Sequence, residues 1–228
     1  MPTLLASRLA LVAALLIVAI GVLGALQPPL VVCGELAKGY APILAFEFAR
    51  SVADLHALFG DAPSDCRTAL VAGLNRVNLG DNLLFIPTYG AFLVLSLLAL
   101  RPRFPQRALV AIACVVIACA FDYAENACLS PLAANPDLAS SWLALLPWAT
   151  GGKWLLLAVG GALGGSMLGE KPAIRWLATV ACALGLVVIL LVLALPHVFG
   201  RFASVAVGVS WIALLLADVS GARQNRST

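Results

Sequence analysis

Six stretches of the chain stay apolar long enough to cross a bilayer as helices: 9–26, 82–100, 108–126, 152–168, 176–195 and 202–218. A helix rises about 1.5 Å per residue, so roughly 20 apolar residues traverse a hydrocarbon core of about 30 Å. The last two carry no charge between Trp176 and Leu195 and little between Phe202 and Ala217, as bundle walls would. The pattern predicts an all-α fold: a polytopic membrane helix bundle of about six transmembrane helices, forming one integral membrane domain over 1–228.

Between the first two windows the period changes. In APILAFEFARSVADLHALFG, Leu44, Phe48, Val52, Leu55 and Phe59 recur at helical spacings, leaving Glu47, Arg50 and Asp54 on another face. Pro42 suits the first turn of such a helix and Gly60 its end. One amphipathic helix is expected here, lying on the membrane surface or capping the bundle. A turn at GDAPSD follows, then a short helix with Leu70, Val71, Leu74 and Val77 on one side, feeding the second span. Inside that span Pro87 lacks a backbone donor and predicts a kink.

SPLAANPDLASS, after the third window, reads as a loop, with Trp142 and Trp148 next at the height of an interfacial aromatic belt. In the fourth window Gly160 with Gly164, and Gly161 with Gly165, make a ridge on which helices can pack closely.

Composition supports the membrane reading: 62% of residues are hydrophobic and 11% charged, with a mean hydropathy of +1.02. The first window exceeds the apolar region of a signal peptide, about 7–15 residues, so it is expected to stay as an anchor. Arg8, Arg101, Arg103, Arg107, Lys171, Arg175, Arg223 and Arg226 all fall on one side of a six-span topology. The positive-inside rule makes that side the cytoplasm, with both termini in it, and the expected location is a bacterial inner membrane. Segment 27–80 balances Glu35, Glu47, Asp54, Asp61 and Asp65 against Lys38, Arg50, Arg67 and Arg76, and faces out. The net charge of +3 is thus mostly a topology signal, and nothing points to nucleic acid.

Cys114, Cys119 and Cys182 lie inside spans, where a thiol behaves as a small apolar group. Cys33, Cys66 and Cys128 fall on the outer, oxidising side; a Cys33–Cys66 disulfide is expected, although three thiols leave the pairing open. No C-x-x-C, H-E-x-x-H, G-x-S-x-G or P-loop occurs, and His56 and His197 both lie outside the spans, so no cofactor and no metal is expected.

The candidate chemistry sits in AFDYAENACL. Asp122 and Glu125 are three residues apart and Asp122 and Asn126 four apart, so a helix projects all three from one face. If the third span closes at Asn126, Asp122 lies only about 6 Å below its outer end. Asp81 and Asn82 open the second span at that depth and Lys153 opens the fourth. Ionisable groups in spans face the bundle interior and pair, which makes Lys153 the partner of these carboxyls. Tyr89 is one turn or two further into the second span.

The order FEFA (46–49), DNLLFIPTY (81–89), DYAEN (122–126) and Lys153 resembles an uncharacterised family of small bacterial multi-span membrane proteins. In that family an FELA-like segment precedes a D-x-x-F-I-x-x-Y span and a D-x-x-E-N span; the resemblance covers roughly 46–160. It implies a shared polar site, to which FEFA adds Glu47, but supplies no activity. Asp81 stands four before Phe85 and Asn82 three before, so the position matching the family's Asp is Asn82.

The expected function is to bind or move a small or lipidic ligand, or a proton, at a polar pocket near the outer leaflet. Glu125 and Asp122 would be its carboxyls, Lys153 their counter-ion, Tyr89 and Asn126 hydrogen-bonding groups, with Asp81, Asn82 and Glu47 beside them. Membrane lipids are the expected surroundings, and self-association into a homo-oligomer is open. Two alternatives stand: a membrane enzyme acting on a lipid or isoprenoid by carboxyl acid/base chemistry, with Tyr89 or Tyr123 stabilising positive charge, and a structural or assembly subunit using the glycine ridge.

Overall fold

The computed structural model describes residues 2–37, 39–138, 140–168 and 172–224; Lys38, Lys171, Arg226 and the side chain of Arg223 lie outside the described residues. The elements are α1 (Pro2–Ala25), α2 (Pro42–Glu47), α3 (Val52–Phe59), α4 (Asp65–Gly80), a π-helical segment (Asp81–Phe85), α5 (Ile86–Leu100), α6 (Pro105–Ala134), α7 (Ser141–Gly165), α8 (Pro172–Ala194), α9 (Pro196–Phe199) and α10 (Ala203–Gln224). There is no strand among the described residues. Each of the six apolar windows is a helix long and apolar enough to cross a membrane. Large apolar side chains such as Leu15, Val18, Leu177, Leu184, Val205 and Leu216 are exposed on their outward faces. Lipid tolerates such a surface where water does not, and the fold is that of a helical membrane protein.

Helices α1, α5, α6, α7 and α8 form an arc, each packed on the next, and α10 fills its concave side against α1, α5, α7 and α8. The cap, formed by segment 26–64, sits at one end of this bundle. The α5–α6 turn and the start of α8 meet at the other, where the Arg175 guanidinium lies 5.6 Å from the Phe104 ring.

Several boundaries differ from expectation. The amphipathic stripe is two helices, because Ser51 and Asp54 form a capping box: Asp54 N–H donates to Ser51 Oγ, and Asp54 Oδ2 accepts from the Ser51 N–H at 2.9 Å. Such a box starts a new helix and interrupts the old one. The end of α2 at Glu47 separates Phe46, which packs in the cap on Phe59, from Phe48, which stacks on Trp154 in the bundle.

Pro87 does mark a break in regularity. With no N–H at 87 the helical ladder loses a donor, and the Ile86 N–H reaches five residues back to the Asp81 carbonyl. The expected loop after Asn126 is helical to Ala134, through Pro131, because Leu129, Leu132 and Ala133 bury in the cap. Likewise α7 begins at Ser141, so Lys153 sits mid-helix and not at the start of a span.

Two apolar cores result. One is the bundle core, including Phe48, Tyr89, Val115, Ala118 and Trp154. The other lies beneath the cap, where Phe46, Leu55, Phe59 and Leu74 meet Leu129, Leu132 and Leu146. Phe46 and Phe48 belong to different cores, and Glu47 stands between them.

The cap is tied down at several points. A disulfide joins Cys33 to Cys66, leaving Cys128 a buried free thiol. The buried Arg67 grips both oxygens of Asp137 at 2.6 and 3.2 Å and donates to the Phe59 carbonyl. These bonds hold the Asp137 carboxyl below its ordinary range. Arg50 donates to the Leu193 carbonyl and Tyr40 to that of Pro196; burial pushes the Tyr40 phenol up to about 12, which keeps it a donor.

The glycine ridge is consumed inside the chain. Gly160 faces Ala111 and Cys114 of α6, Gly161 Ser210 of α10, Gly164 Leu97 and Leu214, and Gly165 Cys182 of α8. The tightest backbone approach of this kind is between α8 and α10, where a Cβ at Gly185 would lie 2.6 Å from the Ala206 carbonyl oxygen. A backbone atom cannot swing aside, so Gly185→Ala is expected to cost about 1–3 kcal/mol through helix displacement. Thermal unfolding of the solubilised protein measures this; an unchanged midpoint contradicts the packing described.

Candidate functional site

A polar layer separates the two cores. Glu47 enters it at the last residue of α2, Asp122, Glu125 and Asn126 from one face of α6, Thr150 and Lys153 from α7 one turn apart, and Tyr89 from α5. Taking the apolar part of α6 to begin at Ala108, Asp122 lies about 21 Å along it, in the third of a core of about 30 Å nearest the cap. The helix continues to Ala134, so this layer is covered by protein and not at a free rim.

Lys153 is the centre. Its Nζ lies 3.1 Å from Glu47 Oε2, 3.2 Å from Asp122 Oδ1, and pairs with Glu125 Oε2. It donates a hydrogen bond to Glu125 Oε2, while Glu47 and Asp122 lie within ion-pairing distance of the same ammonium. All four side chains are buried, Glu125 to 1% exposure. Desolvating such charges costs several kcal/mol per ion, offset only where the geometry is good and the remaining lone pairs are satisfied.

Most are satisfied. Tyr89 Oη donates to Asp122 Oδ2 at 2.8 Å, and Trp154 Nε1 donates to Glu47 Oε2 at 3.1 Å. Thr150 Oγ1 donates to the Glu47 carbonyl at 2.9 Å, pinning the end of α2. The Trp154 ring lies 5.1 Å from Nζ, and Trp211 of α10 stacks on Tyr89. The exception is Glu125 Oε1, which is buried and has no hydrogen-bond partner.

A second, amide-rich network adjoins the first. Asn126 Nδ2 donates to Asp81 Oδ2 at 2.6 Å and to Asn82 Oδ1 at 3.0 Å, so Asp81 and Asn82 both belong to the site. Asn78 donates to the Asn126 carbonyl and to Ser130 Oγ. Above this network lies a cleft of about 420 Å³, its open mouth included, between α2, α4 and α6. Phe46, Leu74 and Leu129 form its walls; Glu47, Asp81 and Asn126 line its polar side.

The expected residues thus come together in two linked groups: Asp122, Glu125, Glu47, Tyr89 and Lys153 in one, Asn126, Asp81 and Asn82 in the other. Asp81 makes no ion pair with Lys153, contrary to a single ring of charge. Tyr123, expected with Tyr89 as a group that stabilises positive charge, is exposed and donates to the Asn82 carbonyl. Trp154, Thr150 and Asn78 were not anticipated. The i, i+4 spacing of Asn78 and Asn82, matched by Asn126 and Ser130, is a signal that marks a polar helix–helix seam.

A further buried carboxyl was also missed. Asp218 of α10 accepts from Ser96 Oγ of α5 at 2.6 Å, with Ser7 of α1 bonded to it too, and locks three helices together.

Among the described residues no group of three or more His, Cys, Asp or Glu side chains is arranged to hold a metal ion. Set against protein-family models, curated proteins and solved structures, the chain finds no match, and its function has to be argued from this polar layer alone.

Proposed function

We propose that this is a bacterial inner-membrane protein, related to the family whose FELA-like, D-x-x-F-I-x-x-Y and D-x-x-E-N segments it resembles. Its polar layer binds a small or lipidic ligand from the outer leaflet side and moves it, or a proton, through the Lys153 cluster. The observation that carries this is Glu125: a buried carboxyl with one oxygen on Lys153 and the other unpartnered. Native structures rarely leave a buried acceptor unmet, and where they do a ligand, proton or water is the usual reason.

Two features support the orientation. Arg101, Arg103, Arg107 and Arg175 gather at the end of the bundle opposite the cap, the cytoplasmic end by the positive-inside rule. The Cys33–Cys66 disulfide at the cap suits an oxidising compartment outside the cytoplasm. The cleft favours binding over a purely structural role, which needs no cavity. It is an open cleft that Asp81 and Glu47 line, which favours binding over chemistry on a buried lipid chain.

The test is Glu125→Gln in purified full-length protein, with co-purifying lipids and small molecules identified by mass spectrometry. The variant is expected to fold with its thermal midpoint nearly unchanged and to lose a ligand that the native protein retains. Retention of the same ligand together with a lowered midpoint would assign the cluster a structural role only.

A further inference from the structure

We infer that the ligand of this site is an organic cation: an ammonium or guanidinium group on a compact apolar body, its charged end against Asp81 and Glu47. The inference rests on the pocket reading above and names the class of molecule the pocket takes.

Charge comes first. Four carboxyls, Glu47, Asp81, Asp122 and Glu125, share the polar layer and the cleft beside it, and one ammonium, Lys153, faces them. That ammonium is already ion-paired with three of the four. Asp81 lines the cleft with a neutral amide as its hydrogen-bond partner and with no ion pair among the described residues. An acid in an amide and apolar setting, with the carboxylate of Glu47 lining the same cleft, attracts positive charge and repels negative. Anionic ligands, including phosphate head groups, are therefore disfavoured at this cleft.

Shape narrows the class further. Apolar side chains including Phe46, Leu74 and Leu129 line the cleft, beside the carboxyls of Glu47 and Asp81 and the amides of three asparagines. Pockets of this kind take a molecule whose apolar body is buried and whose few polar atoms fix orientation. A bare metal ion would leave those walls unused. An amphipathic cation satisfies both parts, and its charge supplies what Asp81, bonded to a neutral amide, lacks among the described residues.

Position gives the cation a route to influence Lys153. Glu47 belongs at once to the cleft lining and to the Lys153 cluster. A second positive charge at the cleft competes with Lys153 for the Glu47 carboxylate, and through it with the hold of α2 on the bundle.

The experiment uses the full chain in lipid nanodiscs and three probes of similar size: phenethylammonium, the neutral 2-phenylethanol, and the anion 3-phenylpropionate. Calorimetry and thermal shift are expected to show saturable binding of the ammonium alone. Asp81→Asn should weaken it by about tenfold or more, the worth of one charge-assisted hydrogen bond. Asn75→Lys, which sets an ammonium on the cleft wall without disturbing a buried side chain, should abolish probe binding while the protein stays folded. Equal binding of the alcohol or the anion, no binding of the ammonium, or indifference to both substitutions overturns the cation assignment. That failure is separate from the failure of the pocket, which is read from the co-purifying ligand of Glu125→Gln.

Discussion

Lys153→Met is expected to be the most damaging single substitution in the chain, lowering stability by about 3–5 kcal/mol, the usual cost of stripping one partner from a buried ion pair. Its size follows from the neighbours. Glu47, Asp122 and Glu125 all lose their only ammonium among the described residues at once, and all three are buried: their exposures are 9%, 4% and 1%. Methionine fills the volume of the aliphatic stem, so lost packing contributes little and the effect reports on charge. Arginine is not a substitute, because a bulkier planar guanidinium does not fit where a compact ammonium sits among three buried carboxylates. Combining Lys153→Met with Glu47→Gln, Asp122→Asn and Glu125→Gln should recover most of the loss, since removing both sides of a buried pair is far cheaper than removing one. Denaturation of solubilised protein measures the single and the combined variants. If the combined variant is as unstable as the single one, the cluster is not held by charge pairing.

The fold was legible in the sequence wherever length and hydropathy alone decide it. All six apolar windows became helices, because in lipid a backbone must satisfy its own hydrogen bonds and a helix does so without reference to distant residues. What the pattern could not supply were ends. Pro131 and Pro147 read locally as breaks, yet both lie inside helices, where burial of Leu129, Leu132 and Leu146 in the cap core outweighs a lost backbone bond. The cap stripe failed for the converse reason. Leu44 to Phe59 has the period of one helix, but Ser51 and Asp54 offer the backbone a closed local alternative. Of the site, the helix-face argument placed Asp122 and Glu125 correctly and named their lysine. Trp154 and Thr150 were hidden because their roles depend on where Glu47 lands, and that depends on the break after it.

Opening the Cys33–Cys66 disulfide, by Cys33→Ser or Cys66→Ser, is expected to cost about 3–4 kcal/mol and to fall on the cap. The bridge closes a loop of 33 residues that includes α2 and α3, and the chain-entropy estimate for a loop of that length is about 3.7 kcal/mol. The six spans do not depend on it, since their hydrogen bonds and apolar contacts are independent of the loop. The cap does: segment 26–41 contains no helix, and apart from the bridge its connections include the Cys33 N–H to the Leu58 carbonyl and the Tyr40 hydroxyl to Pro196. Limited proteolysis should therefore cut within 26–64 in the serine variants and in reduced native protein, leaving the bundle whole. The cost reaches the polar layer as well. A loosened α2 withdraws Glu47 from Lys153 and opens the cleft wall at Phe46, so ligand retention should fall in the same variants although no site residue has changed. Proteolysis spread evenly over the chain, or full ligand retention with an open bridge, would show that the cap neither depends on the disulfide nor completes the site.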